Sequence, residues 1–188
     1  LLLGFKWQQR SEVTPNSDCL GGLHAKILNG SKLQALSSGA VADGNGKILE
    51  VLNTAGTVGQ VGYLASEEDQ RKMEEIAADL IPFSLEKPAR VPLTGEHNLV
   101  YSAAEGASSG RVFGNVVGKV SQLFENDEIF YNRVNFGPLQ IALRAKREIM
   151  NDSTIKVSFL ETSFNLFGRT LKKSEVKGGG VWKVKFVG

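Results

Sequence analysis

With 188 residues, 41% of them hydrophobic and 22% charged, the chain has the composition of an ordinary folded protein, which excludes disorder throughout. Its length suffices for one domain with a real core, or for a small helical lobe attached to a β domain. A net charge of +2, with lysines and arginines spread rather than massed, leaves no footprint for nucleic acid, although a weakly basic protein can sit near an anionic membrane surface.

The single Cys19 excludes an intramolecular disulfide and a cysteine-based zinc site, and points away from a disulfide-stabilised secreted domain. No apolar run reaches the roughly 18 to 20 residues needed to span a bilayer. The chain begins at Leu1 without a methionine and stops at Gly188 inside a strand-like pattern, as expected of a processed or incompletely represented protein. Asn29-Gly30-Ser31 and Asn151-Asp152-Ser153 match the glycosylation sequon, but both also read as turns and carry no weight.

Three segments follow one another: an arm over residues 1–20, a helical lobe over 21–90 and a β domain over 91–188. In the arm, Leu1, Leu2, Leu3, Phe5 and Trp7 gather apolar side chains that either pack on the body or dock on a partner or bilayer surface. Leu23, Ile27, Leu33 and Leu36, interrupted by Asn29-Gly30, predict one or two short helical turns between Gly22 and Ser38. Asp43-Gly44-Asn45-Gly46 predicts a turn, without the further ligands of a calcium loop. Helical spacing resumes with Ile48, Leu49 and Leu52, and Gly56, Gly59 and Gly62 suggest a flexible or tightly packed connection. The clearest helix runs from Ser66 to Leu80, with Ser66 as N-cap, Glu67, Glu68 and Asp69 in its first turn, an apolar face of Met73, Ile76, Ala77 and Leu80, and Pro82 as its stop.

From Val91 the period becomes that of strands. Strands are expected at Glu96, at Val116, and over 129–136, 139–147, 154–161, 163–170 and 181–187, about seven in all, separated by Gly137-Pro138, Asn151-Asp152-Ser153 and Gly178-Gly179-Gly180. Short strands without intervening helices predict an antiparallel barrel or a strongly curved sheet. Alternation puts Leu139, Ile141, Leu143 and Ala145 on one face, as it does Ile155, Val157 and Phe159, and Trp182, Val184 and Phe186; these faces are expected to point inward. Such an interior can be filled by side chains or can hold one small apolar ligand.

At these residues the chain resembles the plastid lipid-associated protein family, also called fibrillins or plastoglobulins. Pro92-Leu93-Thr94-Gly95-Glu96-His97-Asn98-Leu99-Val100-Tyr101-Ser102 follows a family segment in which His97 stands where tryptophan is usual. Val120-Ser121-Gln122-Leu123-Phe124, Asn132-Arg133-Val134 and the Phe-rich 160–168 stretch continue the likeness, which covers roughly residues 65–186. The resemblance implies a mainly β, lipocalin-like antiparallel barrel preceded by a small helical N-terminal lobe; in a departure from the family pattern the sequence stops before the strand that closes the barrel, which leaves it incomplete at the C-terminus unless the sequence is truncated. The resemblance also implies a plastid location at thylakoids or plastoglobules and a non-enzymatic role, with no catalytic residues to carry over. Apolar plastid lipids, prenylquinones and carotenoids are the ligands it implies.

The interior candidates are His97, Leu99, Tyr101, Leu139, Ile141, Leu143, Ile155, Val157, Phe159, Phe164, Trp182, Val184 and Phe186. Neither His24 nor His97 sits at metal-ligand spacing from another ligand; a lone histidine can bind a pigment metal such as that of chlorophyll, but a structural histidine is the commoner role. No nucleophile elbow, phosphate loop or paired carboxylates appear. Among Arg111, Arg133, Arg144 and Arg147, the last is placed near a barrel rim, where its guanidinium could hold a lipid head group unless it pairs with Glu148. Two functions fit: a lipid-binding protein, or a structural subunit docked on a photosystem–antenna complex through the arm.

Overall fold

The computed structural model describes residues 2–3, 26–30, 40–104 and 109–187. In chain order the elements are β1 (Leu2–Leu3), β2 (Lys26–Gly30), α1 (Ala40–Val58), α2 (Glu67–Ala78), β3 (Gly95–Ser102), β4 (Arg111–Phe113), β5 (Val116–Val117) and β6 (Lys119–Phe124). There follow β7 (Ile129–Phe136), β8 (Leu139–Asn151), β9 (Thr154–Leu166), β10 (Arg169–Glu175), β11 (Gly179–Lys183) and β12 (Phe186–Val187). The protein is mainly antiparallel β with a smaller helical part, and seven strands of five or more residues come from the second half of the chain.

The sheet runs β10-β9-β8-β7-β6-β3-β2-β1-β12, with β11 also on β9 and β4-β5 forming a separate ribbon. Its spine is the β8–β9 hairpin, thirteen residues on each side, turned by Asn151, whose Oδ1 accepts from the Ser153 N–H at 3.0 Å. β10 takes one half of β9, from Glu161 to Leu166, and β11 takes the other, from Thr154 to Ser158. The final segment then reaches the opposite margin, where β12 pairs with β1. Val184 and Lys185 belong to no strand and β10 keeps a free edge among the described residues, so the sheet is not the closed barrel its strand pattern suggests.

Local reading and structure part company at four places. Lys26–Gly30 is a strand, not a helical turn, because β3 offers its edge to these backbone groups. Asp43-Gly44-Asn45-Gly46 lies inside α1 rather than in a turn. Packing overrides the turn composition there: Gly44 is covered by the Phe83 ring, which a Cβ would meet at 3.3 Å. The two strands expected over 154–170 are one long strand and a turn at Phe167-Gly168, and the last strand is broken into β11 and β12. By contrast α2 starts where expected, with Ser66 Oγ accepting from the Asp69 N–H at 3.1 Å. α1 ends at Gly59, whose φ of 94° is the left-handed conformation that a helix C-terminus favours.

Two cores result. The inner one lies on one side of the sheet and contains Leu99, Val120, Phe124, Phe130, Val134, Ala145, Ile155, Val157, Trp182, Val184 and Val187, with Ala89. The second joins α1 and α2 to the sheet through Val51, Ala55, Met73, Ile76, Leu80, Tyr101, Ala103 and Phe186. Gly62 fits against the Tyr101 ring so closely that a Cβ would lie 2.2 Å from it.

Tyr101 is fully buried and cannot yield, so Gly62→Ala is expected to lower stability by about 1–3 kcal/mol through overpacking. Gly46→Ala, in the exposed interior of α1 with nothing within 4 Å of the new methyl, should raise stability by about 0.5–1 kcal/mol. Urea unfolding of both variants checks the pair.

Candidate functional site

Cross-strand register assembles the inner face row by row. Phe124, Phe130, Ala145 and Phe159 are consecutive partners in one row, and Val120, Val134, Ile141 and Phe164 in another. Phe159 and Phe164 differ by five positions, so strict alternation would place them on opposite faces. A bulge at Leu160, where Arg144 faces Glu161 but Ala145 faces Phe159, resets the phase and keeps both on the inner side. The rings meet: Phe124 and Phe130 stack at 5.4 Å, and Trp182 tilts onto Phe130 at 6.0 Å.

Leu99, Ile155, Val157, Trp182 and Val184 therefore sit in the inner core, and Phe159 packs against it. Leu139, Leu143 and Phe164 share the same face by register but are half-buried, and with Ile141 they form its open end. Two expected members are displaced. A bulge at Val100 separates the phases of Leu99 and Tyr101, and Tyr101 lies against the helices in the second core. Burial pushes its hydroxyl up to about 12, and that oxygen finds no hydrogen-bond partner among the described residues. The break at Val184-Lys185 similarly hands Phe186 to the helix side, and Val187 takes its inner place.

Polar groups interrupt this face at two levels. His97, Gln122, Asn132, Leu143 and Thr162 are partners in one row, which makes a polar belt. Gln122 is 1% exposed, and its Oε1 lacks a donor among the described residues. His97 is half-buried, its edge against Phe124 at 5.4 Å and its Nε2 3.1 Å from the Thr94 carbonyl. Desolvation holds its pKa below the usual histidine range, outweighing the Thr94 contact.

The second polar group is Arg147. It continues the inner series Leu139, Ile141, Leu143 and Ala145 and faces inward, level with the β6–β7 turn, where its backbone N–H donates to the Glu128 carbonyl at 2.6 Å. It is 3% exposed, and its Nη2 donates to the carbonyls of Ala89 and Val91 at 2.9 and 3.1 Å. Its Nε and Nη1 find no acceptor among the described residues. Burial lowers its pKa, with Asp127 opposing. Glu148, the alternative partner, faces the other way and approaches Lys146 and Lys156 at 3.5 and 4.0 Å. The other arginines stand elsewhere: Arg111 hydrogen-bonds Tyr63 and Asn115, Arg133 lies 4.0 Å from Glu96, and Arg144 is in register with Glu161.

Of the arm, Leu1, Phe5 and Trp7 lie outside the described residues, as do Cys19 and His24. Leu2 and Leu3 form β1, their backbones paired with β2 and β12. Among the described residues no helix is long and apolar enough to cross a membrane, and no three His, Cys, Asp or Glu side chains gather as metal ligands. Sequence reasoning missed Gln122, although its parity with Val120 and Phe124 places it inward, and it missed the Ala89 and Val91 carbonyls, which no local pattern reveals. Comparison of the chain with protein-family models, curated proteins and solved structures finds no match.

The depressed His97 pKa carries a sign. Above the unfolded histidine pKa both states are neutral and no cost arises; as pH falls through it, the unfolded chain takes the proton first and stability drops. Comparing wild type with His97→Gln from about pH 7.5 to about 5.5 should show a flatter stability profile in the variant. Identical slopes would place His97 in water.

Proposed function

We propose that this chain is a non-enzymatic lipid-binding protein of the plastid lipid-associated type, and that the inner face of its lipocalin-like, incompletely closed sheet takes an apolar ligand with a polar end. The observation that carries the reading is Arg147, a buried cation whose Nε and Nη1 find no acceptor among the described residues, on a face built, apart from the belt of His97, Gln122, Asn132 and Thr162, from aromatic and aliphatic side chains. Among the described residues this guanidinium hydrogen-bonds only two neutral carbonyls, with the Asp127 charge acting from a distance, an arrangement that is costly unless something anionic or carbonyl-bearing completes it. A quinone or a lipid carboxylate supplies such an acceptor, whereas a hydrocarbon carotene does not. In this reading the ligand enters at the half-buried open end, Leu139, Leu143 and Phe164, and reaches Arg147 by parting the packed Phe130 and Trp182 rings, in a thylakoid or plastoglobule setting.

The alternative, a structural subunit docked on a photosystem–antenna complex, is favoured by a different observation. β10 is exposed along its whole length and, among the described residues, offers an open strand edge, which natural proteins usually cover or pair. On that reading the inner face is simply filled core.

The deciding experiment is mild-detergent purification of the full protein followed by mass spectrometry of its lipids and co-migrating proteins. The lipid reading expects a stoichiometric lipid or quinone with no fixed protein partner. Arg147→Met keeps the apolar stem, removes the donors, and should reduce ligand occupancy about tenfold to a hundredfold while the protein still folds. Undiminished lipid in that variant, or a lipid-free protein with stoichiometric antenna subunits, would overturn it.

A further inference from the structure

The antiparallel sheet has two unlike rims. One carries the β6–β7 turn with Glu125, Asp127 and Glu128, and the β8–β9 turn with Asp152. Two cations at that rim pair with these acids: Arg90 with Asp152, and Lys146 at 3.7 Å from Glu128. The other rim is formed by the Gly137-Pro138 turn, the Phe167-Gly168 turn and the β4–β5 ribbon, which Phe113 seats 5.5 Å from the Phe136 ring. The segments that build it, 110–120, 133–143 and 162–174, contain no Asp or Glu.

This second rim carries the most exposed apolar side chains, although Ile149 and Met150 are also exposed beside the β8–β9 turn. Phe167 is 79% exposed and Leu171 66%, and Phe113, Val116 and Val117 are exposed beside them. Phe167 adopts a φ of 47°, a region that bulky side chains rarely enter, and it is fixed there by its N–H donating to the Pro138 carbonyl at 2.9 Å. Leu171 is the extra residue of a bulge, between Thr170 opposite Asn165 and Lys172 opposite Phe164. Lys119 opens β6 next to the β4–β5 ribbon, and Arg169 and Lys172 flank Leu171 on β10; all three are exposed and none makes an ion pair among the described residues.

We propose that this rim docks on an anionic bilayer surface, with Phe167 and Leu171 entering the headgroup boundary and Lys119, Arg169 and Lys172 meeting the lipid charge. Apolar tips with cations that make no ion pair among the described residues, on a rim whose segments hold no acid, match an anionic interface in both composition and field. Docking in this pose turns the open end of the inner face, Leu139, Ile141 and Phe164, toward the membrane. The proposal does not depend on the inner face holding a ligand.

Flotation of the full chain with vesicles tests it. Phosphatidylcholine vesicles containing phosphatidylglycerol should carry the protein, pure phosphatidylcholine should carry much less, and about 0.5 M NaCl should release it. Phe167→Ser with Leu171→Ser, and separately Arg169→Gln with Lys172→Gln, should each lower partitioning about tenfold or more, while Glu128→Gln binds like wild type. All substituted side chains are largely exposed, so folding is retained, and circular dichroism verifies it. Equal binding to both vesicle types, variants that float like wild type, or no flotation at all would overturn the assignment and leave the rim to a protein partner. Lipid content by mass spectrometry in the same variants separates this outcome from failure of the inner-face reading, since that content should not change.

Discussion

Side chains on a strand alternate between faces, and this sheet keeps a dry side only while the alternation stays in phase from strand to strand. The β8–β9 hairpin is where that condition is met or lost. Its length forces the apolar set past one bulge at Leu160, and that single extra residue allows Phe159 and Phe164 to join Ala145 and Ile141 on one side. Without it, everything beyond Leu160 would turn its apolar residues to the outer face, and the open end of the inner side would be polar. The outer face shows the same register from behind, with Arg144 opposite Glu161 and the Ser121 hydroxyl donating to Glu96 at 2.7 Å.

The same device, used at Val100 and at the Val184-Lys185 break, divides the protein into its two cores. A strand that changes phase can serve the sheet interior with one half and the helices with the other. β3 does so with Leu99 and Tyr101, and the last segment with Trp182 and Phe186. α1 and α2 thus rest on the sheet through residues borrowed from strands that begin on the inner side. Gly62 and Gly44 are the close-approach points of this arrangement, one under Tyr101 and the other under Phe83.

How much of this was legible depends on how local the cause is. The start of α2 was readable because Ser66 and Asp69 are three residues apart, and β7 and β8 because Gly137-Pro138 marks their turn. β2 was not, since its strand conformation depends on partners near residue 100. Nor was the helical state of Asp43-Gly44-Asn45-Gly46, where packing beneath Phe83 defeats the turn propensity. Bulges have no residue signature of their own, which is why Tyr101 and Phe186 were expected inside. Arg147 lay between these cases: its parity marked the inner face, but only the assembled sheet shows the Ala89 and Val91 carbonyls holding it there.

The proposed ligand site rests on a buried cation whose Nε and Nη1 find no acceptor among the described residues. Its most direct observation is the Nε–H resonance of Arg147 in the full chain, followed by NMR as palmitate is added. If the inner face takes an apolar ligand by its polar end, that resonance shifts saturably and the Phe130 and Trp182 ring signals move with it. A resonance that stays in place while palmitate perturbs only exposed residues would show Arg147 to be a buried structural arginine and the inner face a filled core.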